Sequence, residues 1–176
     1  MERQPMLVAA ECHRAFAPAY EVRTPAGDLA AAMRRRFWTL FDEEYLLTLD
    51  PGSAACRFHE RRFALSPAWE VEDADGRRGS IATELLIGGD FRLTFTCAKG
   101  GVLRAEGNAV SEEIAVHGPD GQRLLAGYPC AATGRWRVDI LREPAPADRR
   151  LVFGLLLLGW RLSRRGGREG VWHAVA

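Results

Sequence analysis

Lysine is all but missing from this chain: Lys99 stands alone against 23 arginines. The accompanying wealth of alanine and glycine marks this as a GC-rich coding bias rather than selection for guanidinium chemistry. An excess of charge of one sign is missing too. With 24 basic and 23 acidic side chains the net charge is +1, so no global field draws the chain toward nucleic acid or membrane. Any electrostatic function has to come from local clustering. Aromatic residues fall on the core side of the strands, which further disfavours a nucleic-acid partner.

Cysteine is scarce and unpaired. Cys12, Cys56, Cys97 and Cys130 contain no Cys-x-x-Cys pair, and Met1 to Pro5 lead into only a few apolar residues, unlike a secretory signal. Scattered thiols without a signal predict a reducing, cytoplasmic setting, with the membrane periphery as the one further location. Long hydrophobic runs are absent as well. Leu151 to Trp160 is apolar on every side, but ten residues span roughly 15 Å as a helix, about half a bilayer core. Arg149-Arg150 and Arg161 bracket it, so no transmembrane span is expected and a buried core helix is.

Catalytic signatures are missing altogether. There is no Gly-x-Ser-x-Gly elbow, P-loop, dinucleotide fingerprint or His-Glu-x-x-His. Of the histidines His13, His59, His117 and His173, only Cys12-His13 and Cys56-x-x-His59 bring Cys and His together. Neither has a second pair at zinc spacing. Glu43-Glu44 and Glu112-Glu113 are adjacent carboxylates at strand starts. Neighbours on a strand point to opposite faces, so neither pair can share acid and base roles. Both pairs are expected at solvated turn edges. The chain is thus expected to be non-enzymatic, with no catalytic residue, metal or cofactor.

What is present is β-structure punctuated by turns. Thr24-Pro-Ala-Gly-Asp28, Asp50-Pro-Gly52, Asp73 to Gly76, Gly88-Gly-Asp90, Lys99 to Gly101 and Gly118-Pro-Asp-Gly121 each supply residues suited to hairpin turns. Between them Phe91, Leu93, Phe95 and Cys97 alternate with Arg92, Thr94 and Thr96. Trp136, Val138 and Ile140 repeat the alternation, as do Tyr45, Leu47 and Leu49. Such a pattern predicts an antiparallel meander with one apolar face.

An internal repeat is also visible. Tyr20-Glu-Val22, Trp69-Glu-Val71 and Ile114-Ala-Val116 each run five residues on to a glycine: Gly27, Gly76 and Gly121. Three units are too few for propeller blades, whereas repeated hairpins closing into one barrel accommodate the terminal helix. Pro144 and Pro146 stop the preceding strand. Asp148 stands in the first helical turn, Arg161, Arg164 and Arg165 in the last, and Gly166-Gly167 follow as terminator. These signals place the core helix at about 147–164. At 176 residues the chain is read as one domain over 1–170 with a tail at 171–176.

Arg62-Phe-Ala-Leu-Ser-Pro-Ala-Trp-Glu-Val71, the related Arg36-Phe-Trp-Thr-Leu40 segment, Leu103-Arg-Ala-Glu-Gly-Asn108 and the terminal hydrophobic helix together resemble the LURP-one-related proteins. These are relatives of tubby and the phospholipid scramblases. The similarity spans about residues 7–165. It implies a tubby-like fold: mainly β (α+β), a closed antiparallel barrel of about twelve strands around a central hydrophobic C-terminal helix. It also implies an anionic phospholipid surface as a possible partner, since tubby-type domains bind such headgroups.

The arginines suit that partner. Leu29, Ala31 and Met33 take the inner side of their strand, so Arg34 and Arg36 point outward. Arg57, His59 and Arg61 share a face on the strand before Phe63. If the two strands are neighbours, Arg34, Arg36, Arg57 and Arg61 form an outward basic stripe suited to phosphate, opposed by Asp28, Glu60 and Glu84 as surface counter-ions. The leading expectation is a non-enzymatic barrel that binds anionic headgroups or phosphate ligands through these arginines. The alternative is a protein-interaction or stress-related scaffold with a protein partner and no small ligand.

Overall fold

The computed structural model describes residues 7–14, 17–38, 42–49, 55–61, 68–74, 76, 78–97, 101–131 and 135–169. Alternating apolar residues between turn signals form short antiparallel strands. In chain order these are β1 (Leu7–Arg14), β2 (Ala17–Arg23), β3 (Leu29–Trp38), β4 (Asp42–Thr48), β5 (Cys56–Arg61) and β6 (Ala68–Glu72). They continue as β7 (Arg78–Leu85), β8 (Asp90–Cys97), β9 (Val102–Asn108), β10 (Glu113–His117), β11 (Arg123–Cys130) and β12 (Arg135–Ile140). Each strand hydrogen-bonds to the next, and β12 returns to β1 to close the barrel. That closing ladder is short, with Leu7 opposite Val138, Val8 opposite Arg137 and Ala9 opposite Trp136. One helix, α1 (Arg149–Glu169), follows β12.

The period-two pattern places the core as the sequence predicts. Phe91, Leu93, Phe95 and Cys97 are buried, as are Tyr45, Leu47, Trp136 and Val138. Cys56, Cys97 and Cys130 form no disulfide.

The repeat has a structural counterpart. Its units are β2–β3, β6–β7 and β10–β11, spaced four strands apart round the ring. In each connecting turn the glycine N–H donates to a carbonyl three residues earlier: Gly27 to Thr24 (2.9 Å), Gly76 to Asp73 (2.9 Å) and Gly121 to Gly118 (3.0 Å). All three glycines have positive φ, at 95°, 71° and 76°, a conformation that glycine adopts without steric cost. The first residue of every unit points inward and meets one level of α1. Tyr20 packs edge-on to Trp160, with ring centroids 5.5 Å apart. The Trp69 ring centroid lies 5.2 Å from the Arg161 guanidinium. At the third unit, a Cβ on Gly159 would stand 3.2 Å from Ile114 Cγ2. The repeat thus builds a collar round the helix.

Every residue of α1 from Leu151 to Ser163 is buried. Gly154 faces the Phe58 ring of β5 so closely that a Cβ would displace it, while Trp160 stacks on Trp136 of β12 at 4.8 Å. Contacts with strands right round the ring leave residues 151–163 no solvent face. Nine buried apolar side chains, Leu151 to Phe153, Leu155 to Leu158, Trp160 and Leu162, each contribute roughly 1.5–3 kcal/mol. Among the described residues, no helix is long and apolar enough to cross a membrane.

Both helix ends differ from expectation. Asp148 precedes the first turn, and its carbonyl accepts from Val152 N–H at 2.9 Å. The helix also continues through Gly166-Gly167 to Glu169 rather than ending near 164. Two glycines cost about 1 kcal/mol each, too little to stop a helix already nucleated by buried turns. The expected tail, 171–176, lies outside the described residues.

Candidate functional site on the outer wall

Alternation on β3 and β5 puts the expected arginines outside. The side chains of Arg34, Arg36 and Arg57 are 52%, 55% and 51% exposed. Arg61 ends β5, and its side chain lies outside the described residues. The two strands are not neighbours, however, because β4 runs between them and presents Glu44 on the outer face. Arg36 and Arg57 both reach that carboxylate, at 3.2 and 3.7 Å. Arg57 also faces Glu72 at 3.8 Å, and Glu72 in turn accepts from Arg78 at 3.0 Å. On the other flank Arg34 lies 3.8 Å from Glu21. The expected basic stripe is therefore an alternating ladder of cations and carboxylates.

The counter-ions also differ from the sequence reading. Glu84 does serve on the surface, 3.4 Å from Arg92. Glu60 and Glu43 instead point into the barrel, where Glu43 is 1% exposed; they are not solvated edges. Between them lies Arg161, read from the sequence as a bracket of the apolar run in the last helical turn, and it is 1% exposed. Its Nη2 donates to Glu43 and reaches Glu60 at 3.4 Å. The guanidinium stands over the Tyr45 and Trp69 rings at 4.9 and 5.2 Å. Burial pushes the Arg161 pKa down, but Tyr45, Glu43 and Glu60 more than reverse this, leaving it above the ordinary guanidinium value. The helical wheel puts position 161 inside with Leu158 and Leu162, so the charge is buried and paired rather than solvated. One turn on, Arg164 covers the Trp160 ring at 5.8 Å. The side chains of Arg165 and Arg168 lie outside the described residues.

A different set of cations is left uncompensated. Arg104 of β9 pairs in register with His117 of β10, and His117 pairs with Arg123 of β11. Thr94 of β8 extends the row beyond Arg104. These side chains share the outer face, because Leu103, Ala105, Val116 and Leu124 beside them are buried. Directly opposed strand residues have Cβ atoms about 5 Å apart, so two guanidiniums flank one imidazole. Among the described residues neither Arg104 nor Arg123 forms an ion pair or hydrogen bond. His117 Nδ1 lies 3.2 Å from the Gly121 carbonyl. A carbonyl only accepts, so Nδ1 carries the proton and Nε2 faces away from that bond.

Beside this row the wall is hollow. A groove there is lined by Ala115, Ala126, Arg92, Tyr128 and the carboxylates Asp90, Glu106 and Glu113. It forms where Ala115 and Ala126, opposed in register on the outer face, carry small side chains. Arg92 is held at 3.0 Å by Glu106. The Tyr128 hydroxyl donates to Asp139 at 2.7 Å. That bond, with burial and the nearby negative charge, raises the phenol's pKa above its ordinary value.

The chain matches no protein-family model and no curated protein. Among the described residues, no three His, Cys, Asp or Glu side chains converge as metal ligands would. The groove and the row beside it thus combine the donors Arg92, Arg104, His117 and Arg123 with the carboxylates Asp90, Glu106 and Glu113. Period two shows only that Arg104, His117 and Arg123 point outward. Their adjacency follows from ladder register, and their lack of carboxylates from side-chain geometry.

Proposed function

We propose that this chain is a non-enzymatic barrel of the LURP-one-related, tubby-like kind, with about twelve strands. In this reading it binds phosphate groups on its outer wall, whether of an anionic lipid headgroup or of a free phosphate ligand. The single observation that carries it is the row Arg104–His117–Arg123, cationic and without a carboxylate partner among the described residues. Arginine's planar fork suits phosphate oxygens bidentately. The filled lumen supports an exterior site, since α1 occupies the space in which an interior pocket would lie.

Each basic residue near an anionic surface contributes about 1 kcal/mol. Two guanidiniums in one row would favour binding by about thirtyfold, with strong dependence on salt. By contrast, an anion approaching Arg36 and Arg57 also meets Glu44 and Glu72.

Co-sedimentation with phosphatidylcholine vesicles, with and without phosphatidylinositol phosphates, tests the reading at low and moderate salt. Inorganic phosphate titrated by calorimetry is the free-ligand arm. Retention on the phosphorylated vesicles is expected to fall at least tenfold in R104A/R123A and by less than twofold in R34A/R36A/R57A. Recovery in the supernatant throughout, with no heat from phosphate, would end the proposal. The reverse ranking of the two variants would move the site to the charge ladder.

A further inference from the structure

A second surface lies at the end of the barrel where β7 turns into β8 and β9 into β10. Apolar side chains are exposed there that a folded chain ordinarily covers: Leu86 at 48%, Ile87 at 98% and Val110 at 83%. The two turns are joined. Ala109 N–H donates to the Gly89 carbonyl at 2.8 Å. The Asn108 side chain donates to the Gly88 carbonyl (3.3 Å) and to Asp90 (2.6 Å), while its oxygen accepts from Val110 and Ser111 N–H. Gly88 and Gly89, at φ 83° and 87°, allow the bend. The result is a braced mount that holds Ile87 and Val110 outward.

Among the described residues, the charged side chains that flank this mount are acidic. Asp90 and Glu113 flank Asn108 in register, and Glu112 stands two residues from Val110. Among the described residues none of the three forms an ion pair, and Glu112 and Glu113 accept no hydrogen bond at their carboxylates. Arg92, beside this mount on β8, is already shared by Glu84 and Glu106.

We propose that Leu86, Ile87 and Val110 form a docking surface for a partner protein segment in which basic residues flank an apolar side chain. Apolar contact would supply the anchor, and the acidic rim would select the sign of its neighbours. An anionic bilayer is a poor occupant, because it would face Asp90, Glu112 and Glu113 with charge of the same sign. A second copy meeting tip to tip would oppose the same carboxylates to each other. Leu86, Asp90 and Glu113 line the same groove as His117 and Arg123, whereas Ile87 and Val110 stand outside that lining, and neither proposal depends on the other.

Selection from a display library of random peptides against the full chain tests it. Enriched sequences are expected to carry Arg or Lys beside Leu, Ile, Phe or Trp. They should bind I87S/V110S at least tenfold more weakly than the wild type, and E112Q/E113Q several-fold more weakly at low salt only. R104A/R123A should bind them unchanged. Ile87 and Val110 are solvent-exposed, so an unaltered melting temperature shows that the variant remains folded. Acidic or uncharged winners, no enrichment, or equal binding to I87S/V110S would overturn the proposal. So would self-association in sedimentation velocity, or flotation with anionic vesicles, that I87S/V110S abolishes.

Discussion

Arg161 and Arg164 stand three residues apart on one helix, yet the first is sealed in the barrel and the second lies at its mouth. Removing one partner of a buried charge cluster leaves the others uncompensated, so Arg161→Ala is expected to cost about 3–5 kcal/mol in urea unfolding. The combined R161M/E43Q/E60Q variant, which leaves charged only the partly exposed Arg35, 3.8 Å from Glu43, should recover most of that loss. If the triple variant is no more stable than Arg161→Ala, the cluster is not an isolated charge balance. Tyr128 yields a second measurement. Its folded-state pKa is raised by the bond to Asp139, so the protonated phenol is favoured by folding. The associated stability is fully present below the ordinary tyrosine value of about 10 and is lost as pH rises through the higher folded value. Ultraviolet titration should include a late-ionising phenol in the wild type that Asp139→Asn brings back down.

At the scale of elements, α1 and the three repeated hairpins depend on one another. Gly154 has no room for a methyl group beside Phe58, so Gly154→Ala should cost about 1–3 kcal/mol through overpacking, although alanine is the better helix former. Leu156, 0% exposed, offers the contrast: Leu156→Ala should cost about 2–5 kcal/mol, and Leu156→Asp should prevent folding. Denaturant midpoints at constant slope distinguish these losses from a change in the unfolded chain. The collar explains why the repeat opens with Tyr20, Trp69 and Ile114 rather than with three copies of one residue. Each fills a different gap, against Trp160, Arg161 and Gly159 in turn.

For the whole molecule, the helix is the condition of closure. Among the described residues the β1–β12 ladder has three residue pairs, and α1 fills the lumen that this ladder closes. A chain ending at Asp148 is therefore expected to lack the far-ultraviolet and melting signature of the intact barrel. Cooperative melting of that truncation near the wild-type temperature would show that the strands close unaided.

Much of this architecture was legible without coordinates. Period two assigned the inward faces of β4, β8 and β12, since burying one side of a strand demands it. Glycine placement gave the three equivalent turns, and an apolar run without a polar side required enclosure. The candidate site was legible only in part. Outward arginines could be named, but β4 interposes Glu44 between Arg36 and Arg57, and the order of strands in space is no property of local pattern. Arg104, His117 and Arg123 lie 13 and 6 residues apart in the chain and become one row only when ladder register sets them side by side. The local code thus determined which way each side chain turns. Tertiary structure decided which charges face each other, because Coulomb energy depends on distance in space. The same separation buried Arg161 with Glu43 and Glu60 and left Arg104 and Arg123 without a carboxylate partner among the described residues.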